Sequence, residues 1–466
     1  MYDRSHGAGS SQPSSRNPDR HRRRAPTIHR LAHTDRRMRP PGRRSAFSRR
    51  PVEPPDRRGG RLADNGGVNV LAPLLTAEGR ALLDAVRGTA PADELAVATR
   101  LRREHPADLV SAALGQARLR QRAAVKFGAE DADRMFFTPN GVEQSTRASV
   151  AGYRAGRMRA LGVTSVADLC CGIGGDAIAL ARAGIRVLAV DRDPVTAQAA
   201  RANAEALGLS ELIEVREADV TEVDTGGYDA VFVDPARRGG RGRVFDPEGY
   251  SPPLSWAVGA ALAAPRAALK IAPGVPHEAI PAEAEAEWIS DGGDVKEAVL
   301  WFGTGDPGAV RATLLPGPRT LLGSGLPDPR VRPVGRYLYE PDGAVVRAHL
   351  VADVAREVDG GLIDETIAYV TADALRPTPY ATAYEITDQL PFNVKKLKAL
   401  LRERGVGILT VKKRGSAVEP EELRKKVLTK GQGPHSATVF LTRVAGAPTM
   451  LVGAPAGPDV TAGGAS

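Results

Sequence analysis

Four aspartates close or follow short aliphatic runs: Asp168 in VADL, Asp191 after IRVLAV, Asp219 after LIEVREA, and Asp234 after YDAVFV. A carboxylate at the end of a buried strand is poised to accept hydrogen bonds from a ligand lying across the sheet edge. Asp191 lies 19 residues beyond Gly172, the spacing at which an acid accepts both hydroxyls of a ribose. That spacing alone also suits a nicotinamide dinucleotide. The turn between the two acids, however, reads Cys171-Gly-Ile-Gly-Gly-Asp176, not the G-x-G-x-x-G that cradles a pyrophosphate. An acid at position 168, inside the first strand end, suits a cationic amino-acid group better than a phosphate. Taken singly, each of these aspartates is also explained as a turn or capping residue; the set in register is what points to a ligand.

These side chains need a strand, a glycine-rich loop and a helix to hold them. The run 166–169 reads as a buried strand, Gly172, Gly174 and Gly175 as the loop, and the alanine-rich stretch from Asp176 as a helix stopped by Gly184. Further strands are expected at 185–190, 212–215, 228–233 and 267–271, with 297–302 and 310–315 forming a final hairpin. Strands alternate with helices, which predicts a largely parallel, doubly wound α/β sheet. Ahead of it, apolar residues at three-to-four spacing between Leu71 and Gly162 predict a helical domain, with Thr76 as an N-cap.

Acid-x-x-x-Gly-x-Gly, an acid after the second strand, Asp after the third and Asp-Pro after the fourth together resemble the class I S-adenosylmethionine-dependent methyltransferases. The resemblance covers roughly residues 160–275. It implies a Rossmann-like, seven-stranded sheet and S-adenosyl-L-methionine as cofactor. It places Asp168, Cys170, Gly172 and Gly174 around the methionine part, Asp191 on the ribose and Asp219 on the adenine amino group. Asp234 and Pro235 become the catalytic pair that orients the acceptor. Enzymes acting on exocyclic amino groups of bases carry Asp/Asn-Pro-Pro-aromatic here, whereas this chain has Ala236 and Arg237 after Asp-Pro. Asp-Pro-x-Arg is similar to RNA uridine C5-methyltransferases, but 270–277 lacks the cysteine nucleophile those enzymes need. Arg237, Arg238, Arg241 and Arg243 are candidate contacts to substrate phosphates, with Tyr250, Phe245 or Phe137 as stacking faces and His277 as a candidate base. The Phe136-Phe-Thr-Pro segment before a helix resembles trimethylguanosine-synthase-like methyltransferases. AYEITDQLPFNVKKLKALLRERGVGILTVKKRG and the later ATVFLTR resemble a C-terminal THUMP-like domain, a type of RNA-binding module.

The composition bounds the rest. The net charge of +9 sits in the N-terminal stretch: residues 1–61 hold 17 Arg against five acids, a balance of +12, which leaves −3 elsewhere. The overall basicity is therefore no evidence that the folded body meets nucleic acid. Residues 1–67, rich in Arg, Pro, Ser and Gly, are expected to be disordered, either a basic arm for RNA or a dispensable extension. The two cysteines, Cys170 and Cys171, exclude a disulfide framework or a cysteine zinc cluster and fit a reducing cytoplasm. No apolar run is long enough to span a membrane, and no metal is expected. The expected organisation is a tail (1–67), a helical domain (68–162), the methyltransferase domain (163–316), a Pro/Gly linker (317–335), a small α+β THUMP-like domain (336–445) and a disordered tail (446–466). Residues 391–430 carry 12 Lys or Arg against four acids. The chain reads as an RNA base methyltransferase; a small-molecule or protein methyltransferase, or a non-catalytic RNA-binding protein of the same fold, are the alternatives.

Overall fold

The computed structural model describes residues 71–236, 247–429 and 433–457, together with the backbone pairing of 238–239 with 242–243. Six helices come first: α1 (Ala77–Ala85), α2 (Glu94–Leu101), α3 (Ala107–Phe127), α4 (Ala129–Arg134), α5 (Pro139–Gln144) and α6 (Ala148–Ala160). Thr76 caps α1 by accepting from the Gly79 amide, and Thr138 caps α5 in the same way from Gly141, each satisfying a donor that the first turn leaves open.

The first sheet contains β1 (Ser165–Leu169), β2 (Arg186–Asp191), β3 (Ile213–Glu217), β4 (Ala230–Val233), β5 (Ala267–Ile271), β6 (Glu285–Asp291), β7 (Asp294–Phe302), β8 (Val310–Leu315) and β9 (Arg319–Leu322). Helices α7 (Gly175–Arg182), α8 (Pro194–Ala206) and α9 (Leu254–Ala263) connect the early strands. The order across the sheet is β9-β8-β6-β7-β5-β4-β1-β2-β3. Strands β1 to β5 are mutually parallel, and β7 is antiparallel to both β5 and β6. Apolar runs in β1, β4 and β5 are buried on both faces: Val166 and Phe232 belong to one core, Ala167, Val231 and Leu269 to the other. Burial on both sides is what lets such strands read as continuous hydrophobic stretches.

Three expectations are corrected. The sheet holds nine strands, the seven expected and two beyond them, and the hairpin is β6–β7, not 297–302 with 310–315. Strand β6 (EAEWISD) escaped notice because its charged residues Glu285 and Glu287 are buried in ion pairs, so the sequence shows no apolar run. Strand β9 occupies the beginning of the expected linker, paired to β8.

A second sheet holds β10 (Tyr337–Pro341), β11 (Gly361–Asp364), β12 (Ile367–Ala372), β13 (Ala381–Pro391), β14 (Val406–Lys413), β15 (His435–Val444) and β16 (Ala447–Pro455), in the order β11-β12-β10-β13-β16-β15-β14. Helices α10 (Gly343–Arg347), α11 (Val351–Glu357), α12 (Val394–Glu403) and α13 (Pro420–Val427) complete this part. Here too the sequence misleads. Residues 447–455, assigned above to a disordered tail, form a central strand paired on both sides. Helices α10 and α11 are separated at His349, whose φ is +57°. The expected tail at 1–67 lies outside the described residues.

Candidate functional site

The loop between β1 and α7 is built around left-handed backbone at Gly172 (φ +58°) and Gly174 (φ +87°), which glycine adopts without steric cost. A Cβ on Gly174 would lie 3.5 Å from Ala200, whereas one on Gly172 would meet no protein atom within 4 Å. The glycine at 172 therefore answers to its φ and to whatever approaches the loop, not to a protein neighbour. Cys170 also has positive φ, +67°. Burial pushes both thiols above their ordinary value, so neither is a ready nucleophile.

The Asp191 carboxylate accepts the Gly172 amide at 3.0 Å and the Asp193 amide at 2.9 Å, which ties the ends of β1 and β2 together. Burial raises its pKa, with the two backbone bonds opposing. A carboxylate has about four acceptor positions, so a diol still finds sites on it. Asp168 at the end of β1 is fully buried, and neither of its oxygens has a hydrogen-bond partner among the described residues. Burial, then the nearby Asp176 and Asp234, push its pKa well above the ordinary carboxyl value. Asp219 behaves differently. It is half-buried, and its Oδ1 accepts the Thr221 amide and hydroxyl at 2.9 and 2.8 Å, which lowers its pKa. One oxygen of Asp219 is thus occupied by its own turn.

Asp234 follows β4, and its Oδ2 accepts Lys270 Nζ from β5 at 2.6 Å. Lys270 also donates to Thr146 Oγ1 at 2.9 Å, and Thr146 donates to Asp176 Oδ2 at 2.8 Å. Arg154 of α6 pairs with both Asp176 and Glu297 of β7 and lies 4.7 Å from the centre of the Phe232 ring. Burial alone lowers the Lys270 pKa, but Asp234, Glu297 and Asp176 outweigh it and the net shift is upward, so the ammonium persists. Asp168, Asp176 and Glu297, with Asp234 beside them, thus face two buried cations, Lys270 and Arg154. That excess of negative charge, with a buried carboxylate lacking a partner, fits a cationic ligand and disfavours a phosphate.

The segment before α5 is locked against this loop. Asn203 of α8 accepts the Phe136 amide at 2.6 Å and donates to the carbonyls of Phe136 and Ile173, at 3.1 and 2.9 Å. Gln116 grips Phe137 through both of its backbone groups. Phe137 is buried against Phe127, and Tyr250 is 5% exposed, so neither presents an open stacking face. Arg237, Arg241 and Phe245, and the side chains of Arg238 and Arg243, lie outside the described residues. Pro235 is buried beside Asp234. Lys270, Thr146, Arg154, Asp176 and Glu297 were not singled out from sequence; the signal available for Lys270 was one cation inside the apolar run AALKI.

Farther along the chain, α12 buries Leu397 and Leu401 and exposes Lys395, Lys396, Lys398 and Arg402, which have no carboxylate partner among the described residues. Five of the twelve cations in 391–430 are neutralised: Arg404 by Asp388, Lys412 by Glu340, Lys413 by Glu419, Arg424 by Glu421 and Lys426 by Glu422. Among the described residues no cluster of His, Cys, Asp and Glu is arranged to hold a metal, and no helix is long and apolar enough to cross a membrane.

Residues 166–236 match a family described as a methyltransferase domain, 381–455 a THUMP domain-like family, and 67–123 a domain of unknown function. An S-adenosylmethionine-dependent methyltransferase described as uncharacterized, from Mycobacterium tuberculosis, is 35% identical over 339 residues, 70% of this chain and 90% of the relative; the match is the same in two strains. The crystal structure of a methyltransferase from Porphyromonas gingivalis, described there as putative, superposes with a TM-score of 0.68 at 22% identity, covering 83% of this chain and 98% of that one.

Proposed function

The chain belongs to the S-adenosylmethionine-dependent methyltransferases, and from that premise we propose that it methylates a base in RNA. The observation that carries the RNA assignment is the THUMP domain-like match over 381–455. The exposed lysines of α12 support it, since cations without partners are what a phosphate backbone displaces counterions to reach. The alternative of a small-molecule or protein acceptor has no comparable feature in its favour.

When bound, S-adenosyl-L-methionine supplies a methyl group on a sulfonium, open to in-line attack. The work left to the protein is alignment and exclusion of water. In this reading Asp168 and the Gly172–Gly174 backbone would hold the methionine part, Asp168 by accepting from its ammonium. Asp191 takes the ribose diol, and the free oxygen of Asp219 the adenine amino group. Asp234 and the Pro235 carbonyl accept hydrogens from the acceptor and fix its approach. Lys270 holds the Asp234 carboxylate in one orientation through its 2.6 Å contact. No cysteine follows β5, and burial raises the pKa of both thiols of the chain, Cys170 half-buried and Cys171 buried, so direct displacement is favoured over a covalent pyrimidine adduct.

The test is transfer of labelled methyl from S-adenosyl-L-methionine to total RNA, to a protein extract and to a metabolite extract, using the full chain. Label entering RNA, located to one nucleoside by mass spectrometry, is the expected result. Label entering only protein or small molecules would overturn the RNA assignment.

A further inference from the structure

Three aromatic rings form a column that runs from the core to the surface, beside the segment that follows the carboxyl end of β5. Trp288 of β6 is buried; the His277 ring stacks on it at 4.7 Å with 12° between planes, and His349 stacks on His277 at 3.8 Å and 6°. His277 belongs to the loop that leaves β5 directly after Lys270 and Ile271. Its Nε2 donates to the Arg347 carbonyl at 2.8 Å, which fixes the ring. His349 is exposed and ends the column.

The position of His349 is costly. The Leu350 amide bonds the Val345 carbonyl at 3.0 Å and the His349 amide bonds Val346 at 3.2 Å, so α10 ends in a Schellman turn. The residue in the left-handed position of that turn is ordinarily glycine, yet here it is histidine with φ +57°. A strained residue held in place by its surroundings is a pointer to function.

Around the column lies a cleft of about 680 Å³, lined by Pro273, His277, Glu278, Arg347, His349 and, from the second sheet's side, Arg414. Arg347 is exposed, and neither it nor Arg414 has a carboxylate partner among the described residues. Arg414 is anchored instead by the Ala368 carbonyl and the Tyr369 ring. Glu278 is the one acid in the lining, and Asp328 lies near His349. Residues 273–278 and 343–349 lie outside the matched methyltransferase and THUMP domain-like segments.

We propose that this cleft is a nucleotide subsite for single-stranded RNA, in which a base stacks on the exposed face of His349 and its phosphates meet Arg347 and Arg414. A flat ring at the end of a rigid column, flanked by two guanidiniums, matches how unpaired bases and their backbone are held. Because the loop of His277 continues the strand carrying Lys270, the subsite serves a nucleotide flanking the target. The inference rests on the RNA assignment above.

The experiment uses the full chain, a fluorescein-labelled twelve-nucleotide single-stranded RNA, and the variants His349→Gly and Arg347→Ala. His349→Gly suits the left-handed turn, so it melts at the same temperature or higher, while RNA affinity falls about tenfold. Arg347→Ala weakens binding and lowers the slope of log affinity against log salt by about 0.7. S-adenosyl-L-methionine affinity stays at the wild-type level in both. Should His349→Gly melt low, His349→Asn, which also tolerates this φ, replaces it in the comparison. Wild-type RNA binding matched by all the variants overturns this subsite alone. A wild type that binds no RNA at low salt overturns the RNA assignment and the subsite with it.

Discussion

Replacing Asp168 with asparagine separates what this carboxylate does for the fold from what it does for the ligand. Its pKa lies well above the ordinary 3.8, from burial first and then from Asp176 and Asp234. Above pH 3.8 the unfolded chain has released this proton while the folded chain still holds it. The folded state therefore binds more protons, and stability falls as pH rises, by up to about 1.4 kcal/mol per pH unit until the folded group also ionises. Asparagine has nearly the same shape and no proton to lose, so it removes that slope. In the ligand-free protein Asp168→Asn should melt higher than wild type, with a gain that grows as pH rises above 3.8 and levels off once the folded carboxyl ionises. Toward the cofactor the sign reverses. A charge-assisted hydrogen bond to the ammonium is worth roughly 1.5–3 kcal/mol, so its loss weakens binding of S-adenosyl-L-methionine roughly 10- to 150-fold. Melting curves across pH without ligand and titration calorimetry with it read the two effects. A variant that binds the cofactor within threefold of wild type, or melts lower at pH 8, refutes the assignment.

Asp191→Ala removes the acceptor of the Gly172 and Asp193 amides; it should weaken S-adenosyl-L-methionine by about tenfold or more, the loss of one charge-assisted bond, and unchanged affinity in calorimetry would remove Asp191 from the ribose site. Asp234→Ala should leave cofactor affinity within a few fold while cutting single-turnover methyl transfer by about 10²–10⁴; equal losses in both would make Asp234 a cofactor residue. Arg154→Met leaves Asp176 and Glu297 buried without their cation and should cost roughly 3–5 kcal/mol in urea unfolding; a loss below about 1 kcal/mol would mean that water or protonation relieves the pair.

The glycine loop, the first five strands and the four strand-end acids were legible because each is a local pattern: an aliphatic run, a left-handed turn and an acid at or just past the strand end. Strand β6 was not, since Glu285 and Glu287 are made tolerable in the interior by Arg157 and Arg311, which come from a distant helix and a neighbouring strand, and Glu287 also by Tyr153, Trp301 and Thr313. The edge strand β9 and the last strand β16 hide for a related reason. Short stretches that are flanked by Gly and Pro, as β9 is, or contain them, as β16 does, look like linker or tail until a neighbour completes their hydrogen bonds.

The sequence by itself determined that a glycine-rich turn follows the first strand and which acids border it, because side-chain period and turn chemistry act over a few residues. Tertiary structure alone decided that Lys270 holds Asp234, that Arg154 bridges two carboxylates, and that His277 stacks on Trp288 and His349 on His277. The partners in the Lys270–Thr146 and Arg154–Glu297 contacts stand 124 and 143 residues apart. No periodicity connects positions so distant; only the packing of α6 against the sheet removes the water between them and makes a lone buried charge intolerable.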